Sequence, residues 1–373
     1  MAAGPAIVHC FADVPDPRID RTKLHALPDI LLITLCAVIV GAESWETVAT
    51  FGRSKHDWLK RFVPLANGIP SPDTFERVFA RLNPKAFQKC VVEWLAAVCE
   101  ATGLKHVAID GKAVRGAKQS TFSGCLHLVT AWAVENRLIL GQEAVADKSN
   151  EITAIPKLLE VLDLKGALVT IDAAGCQKEI ARQIRTRGGD YLLAVKGNQP
   201  TLEAAVRREF ETAAANGFVG PTIDSHATIE DGHGRHEERY VTVITDPKGL
   251  PSEWPDVAAV VLVGSEREVK GVNASSARYY LTSRRGTAQE LGAFVRRHWA
   301  VENELHWCLD VSFREDASRV ASGHAGTNLG LVRRVALSLV KQAPGKGYGP
   351  AKRLKAALDE KFLEQVLQGN AGN

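Results

Sequence analysis

VAIDGK (residues 107–112) and VTIDAAG (residues 169–175) decide the fold, because each runs an apolar strand directly into an aspartate followed by a small residue. The two aspartates are Asp110 and Asp172. If the strands lie side by side in a buried sheet, their spacing of ~4.8 Å brings both carboxylates to one sheet edge. Neighbouring carboxylates repel each other, so this layout predicts a divalent cation between them.

Composition and charge are those of an ordinary globular protein. The chain has 373 residues, 45% of them hydrophobic, which at ~100 to 200 residues per domain predicts two domains. A formal net charge of +3 excludes a histone-like polycation, so any nucleic-acid contact has to come from local basic patches. The largest local surplus is C-terminal and a solvated helix face explains it equally well; its members are Arg333, Arg334, Lys341, Lys346, Lys352, Arg353 and Lys355.

Cysteine usage and hydropathy predict a cytosolic protein outside the membrane. The seven cysteines are scattered without a C-x-x-C pair, which favours reduced core residues. The most apolar run, Ile30 to Val40, is shorter than the ~20 residues that cross a bilayer.

The pattern along the chain predicts three consecutive parts. Residues 1–103 have helical periodicity and predict an all-helical N-terminal domain, with recognition or assembly as its expected role. From residue 104 to 345 strands and helices alternate, which predicts an α/β domain with a mixed sheet and helices on both faces. A β-rich insertion is predicted at about 218–286, and residues 346–373 are predicted as a basic tail. The insertion strands are predicted at Arg239–Thr245, Val257–Gly264 and Ala277–Thr282.

A late helix, predicted from Ala288 to about Asp310, adds a third acidic candidate. Its residues His298, Glu302, His306 and Asp310 recur every four positions and therefore line one helix face. Aromatic flanks indicate partial burial of that face, which makes a carboxylate expensive without a partner.

Asp110, Asp172 and Glu302 together offer three hard oxygen ligands that suit Mg²⁺ or Mn²⁺. Two such ions, ~3.5 to 4 Å apart, can activate a water or a 3′-hydroxyl for in-line attack on phosphorus. Each signal alone also fits a bland structural role, since strands that end in Asp are common in α/β proteins. The order of the three acids along the chain favours the functional interpretation over the structural one.

Several polar residues near these acids have two readings each. Lys112 and Arg115 could hold a DNA phosphate or lie in an exposed turn, and Lys196 and Asn198 could touch DNA or cap a strand-to-helix connection. For His306, Asp310, Glu315 and Asp316 we favour structural roles over metal ligation. His233 and His236 lack further ligands at zinc-finger spacing, which favours a DNA-facing or exposed hairpin.

Eight segments resemble one known family over almost the full length, the H-repeat-associated insertion-sequence transposases. These are DDE enzymes with a ribonuclease-H-like catalytic domain. The matching segments are DVPDPR (13–18), HALPDILLITLCAVIVGAESWE (25–46), GIPSPDTFERVFARL (68–82), AIDGKAVRG (108–116), DKSNEITAIPKLLEVLDLKGALVTIDAAGCQ (147–177), GDYLLAVKGNQPTL (189–202), HWAVENELHWCLDVSFREDASR (298–319) and NLGLVRRVALSLV (328–340).

The resemblance implies that Asp110, Asp172 and Glu302 are the catalytic and metal-binding acids. It also implies cleavage at transposon ends and strand transfer into target DNA in the bacterial cytosol, with double-stranded DNA as partner. Joining two ends makes a homodimer the expected assembly.

The chain departs from related DDE transposases at three positions around the helix glutamate. Those relatives carry Tyr, Arg and Lys where this chain has Val295, His298 and Leu309, so their phosphate contacts do not transfer. Arg296, Arg297 or His298 is the hypothesised substitute.

Three alternatives remain open at this point. A metal-dependent nuclease without joining activity would use the same three acids. A DNA-binding protein of the same fold would lack catalysis, and a hydrolase of small phosphoesters would turn over without DNA.

Overall fold

A computed structural model describes residues 6–118, 125–145, 151–220, 222–232, 235–269, 272–347 and 349–369. The chain divides into two compact units that are interleaved along the sequence. Unit 1 comprises Met1–Gly103, Gly111–Asn150 and Val301–Asn373, and unit 2 comprises Leu104–Asp110 and Glu151–Ala300. The sequence pattern predicts consecutive parts instead, because periodicity reports local structure and not which segments pack together.

The first 102 residues are helical, and they pack with later segments in unit 1. The helices are α1 (Ala6–Ala12), α2 (Leu27–Val40), α3 (Trp45–Ser54), α4 (His56–Leu59), α5 (Pro72–Arg81) and α6 (Pro84–Thr102). Ser71 caps α5 as expected, since its side chain accepts a hydrogen bond from the Thr74 backbone N–H, and Pro72 occupies the first helical position.

Helix α2 is apolar on nearly every face, and it lies inside unit 1. All residues from Ile30 to Ile39 are buried. Such all-round hydrophobicity is typical of a core helix. No single helix of the described residues is long and apolar enough to cross a membrane, although α2 with α3, bent by 98°, passes the same length and composition test as a pair.

Two antiparallel strands complete the middle part of unit 1. Strand β1 (His106–Lys118) begins in unit 2 and ends in unit 1, where β2 (Cys125–Ala133) and β3 (Leu138–Val145) follow in the order β3-β2-β1. The β2–β3 register shifts between Ala131 and Trp132.

Unit 2 contains a mixed sheet of seven strands in the order β1-β4-β5-β9-β8-β7-β6. The remaining elements up to the insertion are α7 (Glu151–Leu159), β4 (Leu168–Ile171), α8 (Lys178–Thr186), β5 (Asp190–Val195) and α9 (Pro200–Ala215). Strands β1, β4 and β5 are parallel neighbours, as the alternating strand and helix pattern predicts. The sheet is therefore the large mixed α/β sheet expected from the sequence.

The insertion region holds four antiparallel strands: β6 (Ile223–Gly232), β7 (Arg235–Thr245), β8 (Ala259–Val269) and β9 (Val272–Thr282). Strand β6 is absent from the sequence-based prediction, because it is polar and mostly exposed and so lacks an apolar alternation. Strand β9 pairs with β5, which joins the insertion strands to the central sheet.

Helix α10 (Ala288–Val301) covers part of this sheet within unit 2. Ala288, Leu291 and Val295 pack into a buried cluster with Leu168 of β4 and Val261 of β8. A Cβ on Gly292 would lie 2.7 Å from a methyl group of Val241, so only glycine allows the helix to approach this closely. This packing sets the distance between α10 and the sheet.

After α10 the helix changes type. Residues Glu302–His306 form a π-helical segment, followed by α11 (Trp307–Val311) and then α12 (Ala325–Gln342). The prediction that His298, Glu302, His306 and Asp310 line one α-helical face therefore does not extend beyond Glu302, because a π segment follows an i→i+5 bonding pattern. Such segments occur frequently at functional sites.

The predicted basic tail is folded into α13 (Gly349–Leu358) and α14 (Glu360–Gln368) of unit 1. Arg353 is buried, and its guanidinium donates to the carbonyls of Val38 and Ile39 at the end of α2. Arg333 and Arg334 are buried as well. Three members of the C-terminal basic surplus are thus internal, and the Arg334 and Arg353 side chains donate to buried carboxylate and carbonyl groups.

Cys10 of α1 and Cys90 of α6 are joined by a disulfide. The prediction that all cysteines are reduced is wrong for this pair, since helix packing brings together sulfurs that lie 80 positions apart. Cys36, Cys125, Cys176 and Cys308 are free thiols.

Candidate active site

Asp110 and Asp172 lie side by side at one edge of the unit 2 sheet. Strands β1 and β4 are paired in parallel with Ile109 opposite Ile171, and each aspartate is the next residue in its chain. Parallel neighbours in a sheet are ~4.8 Å apart. The register therefore places the two aspartates directly after paired residues of neighbouring strands.

The small residues after Asp172 are required by the turn that they form. The Asp172 Oδ1 atom accepts hydrogen bonds from the backbone N–H groups of Ala174 (3.0 Å) and Gly175 (3.4 Å), which caps a 3₁₀ turn at Ala173–Gly175. A Cβ on Gly175 would lie 2.3 Å from a methyl group of Ile171. A larger residue there would displace the strand end that carries the carboxylate.

The pKa of the Asp172 carboxyl is raised above its usual value. The main cause is the surrounding protein, which removes water from a side chain that still reaches the surface, and the negative charge of Glu151 adds to it. The two backbone N–H groups and Lys196 act in the opposite direction. A carboxylate held in this state is stabilised by a nearby cation.

The donor chemistry of this edge fits a hard divalent cation. Asp110 and Asp172 supply carboxylate oxygens, which Mg²⁺ and Mn²⁺ prefer. Among the residues that the structure describes, no three His, Cys, Asp or Glu side chains are grouped closely enough to hold a metal ion. The edge thus carries two carboxylates of the chemistry that such an ion prefers.

Strand β5 brings Lys196 and Asn198 to the same edge. Leu193 of β5 lies opposite Ile171 of β4, so the residues after Val195 follow on from the strand end next to Asp172. The Asn198 side chain donates a hydrogen bond of 2.6 Å to the Ala173 carbonyl and so supports the turn after Asp172. Lys196 is exposed and electrostatically attracted to Asp172.

Glu302 belongs to unit 1 and opens the π-helical segment directly after α10. Its side chain is exposed. Glu302 comes four residues after His298, and no break separates the π-helical segment from α10.

His298 has an internal role in unit 2. Its Nδ1 atom lies 2.9 Å from the Thr170 hydroxyl, and that hydroxyl lies 2.8 Å from Nε2 of His106. Burial lowers the pKa of His298 to about 4. For His106, burial and the nearby His298 and Arg297 lower the pKa to about 3. The hydrogen bond to Thr170 and the low pKa of His298 oppose the hypothesis that His298 takes the place of the arginine of related enzymes.

Lys112 is buried in an acidic cluster of unit 1. Its side chain is 7% exposed, and its Nζ lies 2.7 Å from Asp310, 2.8 Å from Asp316 and 3.8 Å from Glu315. The prediction that Lys112 holds a DNA phosphate is thus opposed by its burial and its three carboxylate neighbours. The preferred structural interpretation of Asp310, Glu315 and Asp316 agrees with these contacts.

The acidic cluster continues to Arg334, which is fully buried. The Arg334 Nη1 donates to Glu315 at 2.6 Å, and its Nε donates to the Thr130 hydroxyl at 3.0 Å. Burial raises the pKa of Asp310, whereas contacts with Lys112 and Arg115 leave the pKa of Asp316 lowered despite partial burial. The cluster therefore combines three carboxylates with two buried cations.

The other candidate DNA contacts are distributed over both units. Arg115 is 84% exposed beside Asp316 of unit 1. Arg296 is paired with Glu230 at 2.7 Å, and the guanidinium of Arg297 lies 5.9 Å from the Phe294 ring. His233 lies outside the described residues, as does the side chain of His236.

Thr170, His106 and Arg334 were missed as site-supporting residues. The first two are strand residues of ordinary type, and their relation to His298 exists only after β1, β4 and α10 pack. Arg334 sits in the run NLGLVRRVALSLV, where a charged pair inside an otherwise apolar helix is the one signal of internal ion pairing.

The comparisons with known proteins agree on one family. The profile described as Transposase DDE domain matches residues 101–339, and the one described as DDE_Tnp_1-associated matches residues 8–95. The protein YncI of Escherichia coli O157:H7, named as a transposase, is 40% identical over 95% of this chain and 92% of its own length. The H repeat-associated protein YhhI of Escherichia coli K12 is 38% identical over 96% of each chain.

Two further similarities are of different weight. An uncharacterised protein encoded in the dhlA 3′ region of Xanthobacter autotrophicus is 46% identical over 73% of this chain and 92% of its own length. A piggyBac transposase synaptic complex with hairpin DNA covers 98% of this chain and 80% of that chain, at 10% identity and a TM-score of 0.38, a similarity too low to carry a conclusion. From the profile match and the full-length relatives, the chain belongs to the DDE transposase family, among its H repeat-associated members.

Proposed function

We propose that this protein is an active insertion-sequence transposase that cleaves DNA at the transposon ends and joins the freed 3′ ends to target DNA. The observation that carries the proposal is the register of β1 and β4, which sets Asp110 beside Asp172 at one sheet edge. Paired carboxylates on adjacent strands are a suitable support for metal-dependent attack on a phosphodiester.

In the proposed site Asp110, Asp172 and Glu302 act as ligands and not as nucleophiles. Two bound Mg²⁺ or Mn²⁺ ions would supply activation of a water or 3′-hydroxyl and stabilisation of the leaving oxygen. The turn at Ala173–Gly175 holds Asp172 in place, since both of its backbone N–H donors bind one carboxylate oxygen. No covalent link between protein and DNA is required.

Two observations support including Glu302 in the proposed site: the order of the three acids along the chain, and the position of helix α10. His298 of α10 is hydrogen-bonded to Thr170, which precedes Asp172 by two residues on β4. Glu302 follows His298 by four residues, about one helical turn, at the start of the segment after α10.

The DNA contacts in the proposal are phosphate contacts from exposed cations. Lys196 extends from the strand next to Asp172, and Arg115 and Arg297 are the further proposed contacts. Such side chains position the backbone of a duplex and carry no sequence information. The proposed assembly is a homodimer, because transposition brings two ends together.

The experiment uses a DNA fragment that carries the flanking inverted repeats, incubated with the full chain in Mg²⁺ and in chelator. We expect cleavage only with metal, and we expect Asp172→Asn to abolish cleavage while DNA binding persists. Asp163→Asn is the matched control, since Asp163 also accepts a backbone N–H, from Lys165, but lies away from the strand ends. Unchanged cleavage by Asp172→Asn would contradict the assignment of Asp172 to the active site.

Pre-cut ends separate the proposal from its rivals. Strand transfer of a pre-cut end into a second DNA supports transposition, whereas cleavage without transfer identifies a nuclease. Binding without cleavage at any metal concentration identifies a DNA-binding protein of the same fold. Turnover of a small phosphoester without DNA identifies a hydrolase.

A further inference from the structure

Three polar side chains form a hydrogen-bonded chain through the interior of unit 2. The His106 imidazole and the Thr170 hydroxyl are buried on β1 and β4, at 0% and 2% exposure. The His298 imidazole on α10 completes the chain, with distances of 2.8 Å and 2.9 Å to the one hydroxyl oxygen. Two strands and one helix are therefore linked through a single atom, Oγ1 of Thr170.

Proton counting makes this link directional. A hydroxyl has one proton to donate, so Thr170 donates to one imidazole and accepts an N–H from the other. Burial keeps both imidazoles neutral near neutral pH, and the charged group that faces them is Arg297, while the Phe294 ring packs edge-on against His106. A neutral chain of this kind holds one geometry without needing a counter-ion.

We propose that Thr170 and His298 are positioning residues that fix the last turn of α10 on β4 and thereby set the position of Glu302. The inference rests on the proposed function, because it assigns Glu302 a role in metal binding. The inference goes beyond the proposed function because it assigns a role to His298, which stands where related enzymes have an arginine. His298 acts through the helix and does not touch DNA.

Helix geometry explains why this link matters for Glu302. Residues four apart stack on the same helix face, ~6 Å apart along the axis. The apolar contacts of Leu291 and Val295 hold α10 on the sheet and are non-directional. The directional bond from His298 to Thr170 is what selects one rotation, nearest to the π-helical segment at Glu302.

The test compares Thr170→Val, which removes the hydroxyl at constant shape, with Thr170→Ser, which keeps it. For full-length protein we measure cleavage of the inverted-repeat fragment against Mg²⁺ concentration. We expect Thr170→Val to raise the half-saturating Mg²⁺ concentration about tenfold or more and Thr170→Ser to stay within about twofold of the parent. Deuterium exchange of the backbone from residue 296 to 306 should rise in Thr170→Val alone.

The outcomes distinguish this inference from the proposed function. If Asp172→Asn abolishes cleavage while Thr170→Val keeps the parent's Mg²⁺ dependence and exchange, the positioning role is refuted and the proposed function stands. Equal losses in Thr170→Val and Thr170→Ser also refute it, since the hydroxyl would not be the determinant. If Thr170→Val fails to fold, His298→Gln replaces it, with the same expected Mg²⁺ shift and the same refuting result.

Discussion

Unit 2 and unit 1 each contain a buried polar cluster close in sequence to one of the proposed catalytic aspartates, and the two clusters are built on opposite principles. The His106–Thr170–His298 chain is neutral and lies two residues before Asp172. The cluster of Lys112, Asp310, Glu315, Asp316 and Arg334 is ionic and begins two residues after Asp110. Thr170 lies in, and Lys112 lies three residues beyond, the stretch in which β1 and β4 pair.

Because one cluster is neutral and the other is ionic, the loss of one side chain should cost them different amounts of stability. A neutral chain that loses a hydroxyl leaves unpaired nitrogen atoms, a moderate cost. An ionic cluster that loses one cation leaves buried carboxylates uncompensated, which is far more expensive. We therefore expect the ionic cluster to dominate stability and the neutral chain to adjust geometry.

The largest expected effect comes from Arg334→Met. Arg334 and Glu315 are both 0% exposed, so the variant removes the cation 2.6 Å from a buried carboxylate and leaves it with Lys112, at 3.8 Å, as its ion-pair partner. We expect a loss of about 3 to 5 kcal/mol in the free energy of unfolding, measured by urea denaturation. Adding Glu315→Gln should restore part of it; an unchanged midpoint for Arg334→Met would remove the basis of the comparison.

The next effect concerns Lys112→Met, which removes the ammonium group while keeping the chain length. We expect destabilisation of about 2 to 4 kcal/mol at neutral pH, partly relieved as the pH falls, because protonation of Asp310 and Asp316 then removes the repulsion. Denaturation at pH 7 and pH 5 measures both. A variant of parent-like stability but weakened DNA affinity would instead support the phosphate contact predicted from sequence.

The neutral chain predicts a pH effect of the opposite sign. The folded pKa values of about 3 for His106 and about 4 for His298 lie below the unfolded value of 6.5, so the unfolded chain binds more protons between those values. Stability should fall as the pH drops below 6.5, by up to about 1.4 kcal/mol per pH unit for each histidine.

His298→Gln should reduce this slope by about one histidine's share over pH 6 to 5. His324 lies in unit 1 and takes no part in the hydrogen bonds of His106, Thr170 and His298. The variant His324→Gln is therefore the matched control for replacing a histidine. A slope identical in parent and His298→Gln would mean that His298 is not held neutral.

The smallest expected change in stability comes from Arg296→Ala. Its ion pair with Glu230 lies on the surface, where such pairs contribute little. We expect no measurable change in melting temperature, whereas a role in phosphate binding would lower DNA affinity and reduce the salt dependence by about one ion. Unchanged binding would restrict the DNA contacts to residues such as Lys196 and Arg115.

Local patterns predicted the elements well and their partnerships less well. Strands β1, β4 and β5 and helices α5 and α10 are readable from apolar periods and caps, because those signals arise within a few residues. Strand β6 and the helices after residue 346 were missed or misjudged. Polar alternation in β6 and positive charge in α13 look like solvated segments until their neighbours are known.

The sequence by itself determined that Asp110 and Asp172 each follow an apolar strand segment, and that a helix leads to Glu302, since each is a short-range pattern. The adjacency of the two aspartates followed from it because parallel strands share one edge. The sequence did not determine that β1 continues past Asp110 to Lys118. Only the tertiary structure decided that Lys112 lies among three carboxylates and that His298 is hydrogen-bonded to Thr170. Burial and partner choice depend on segments far apart in the chain, which no local pattern records.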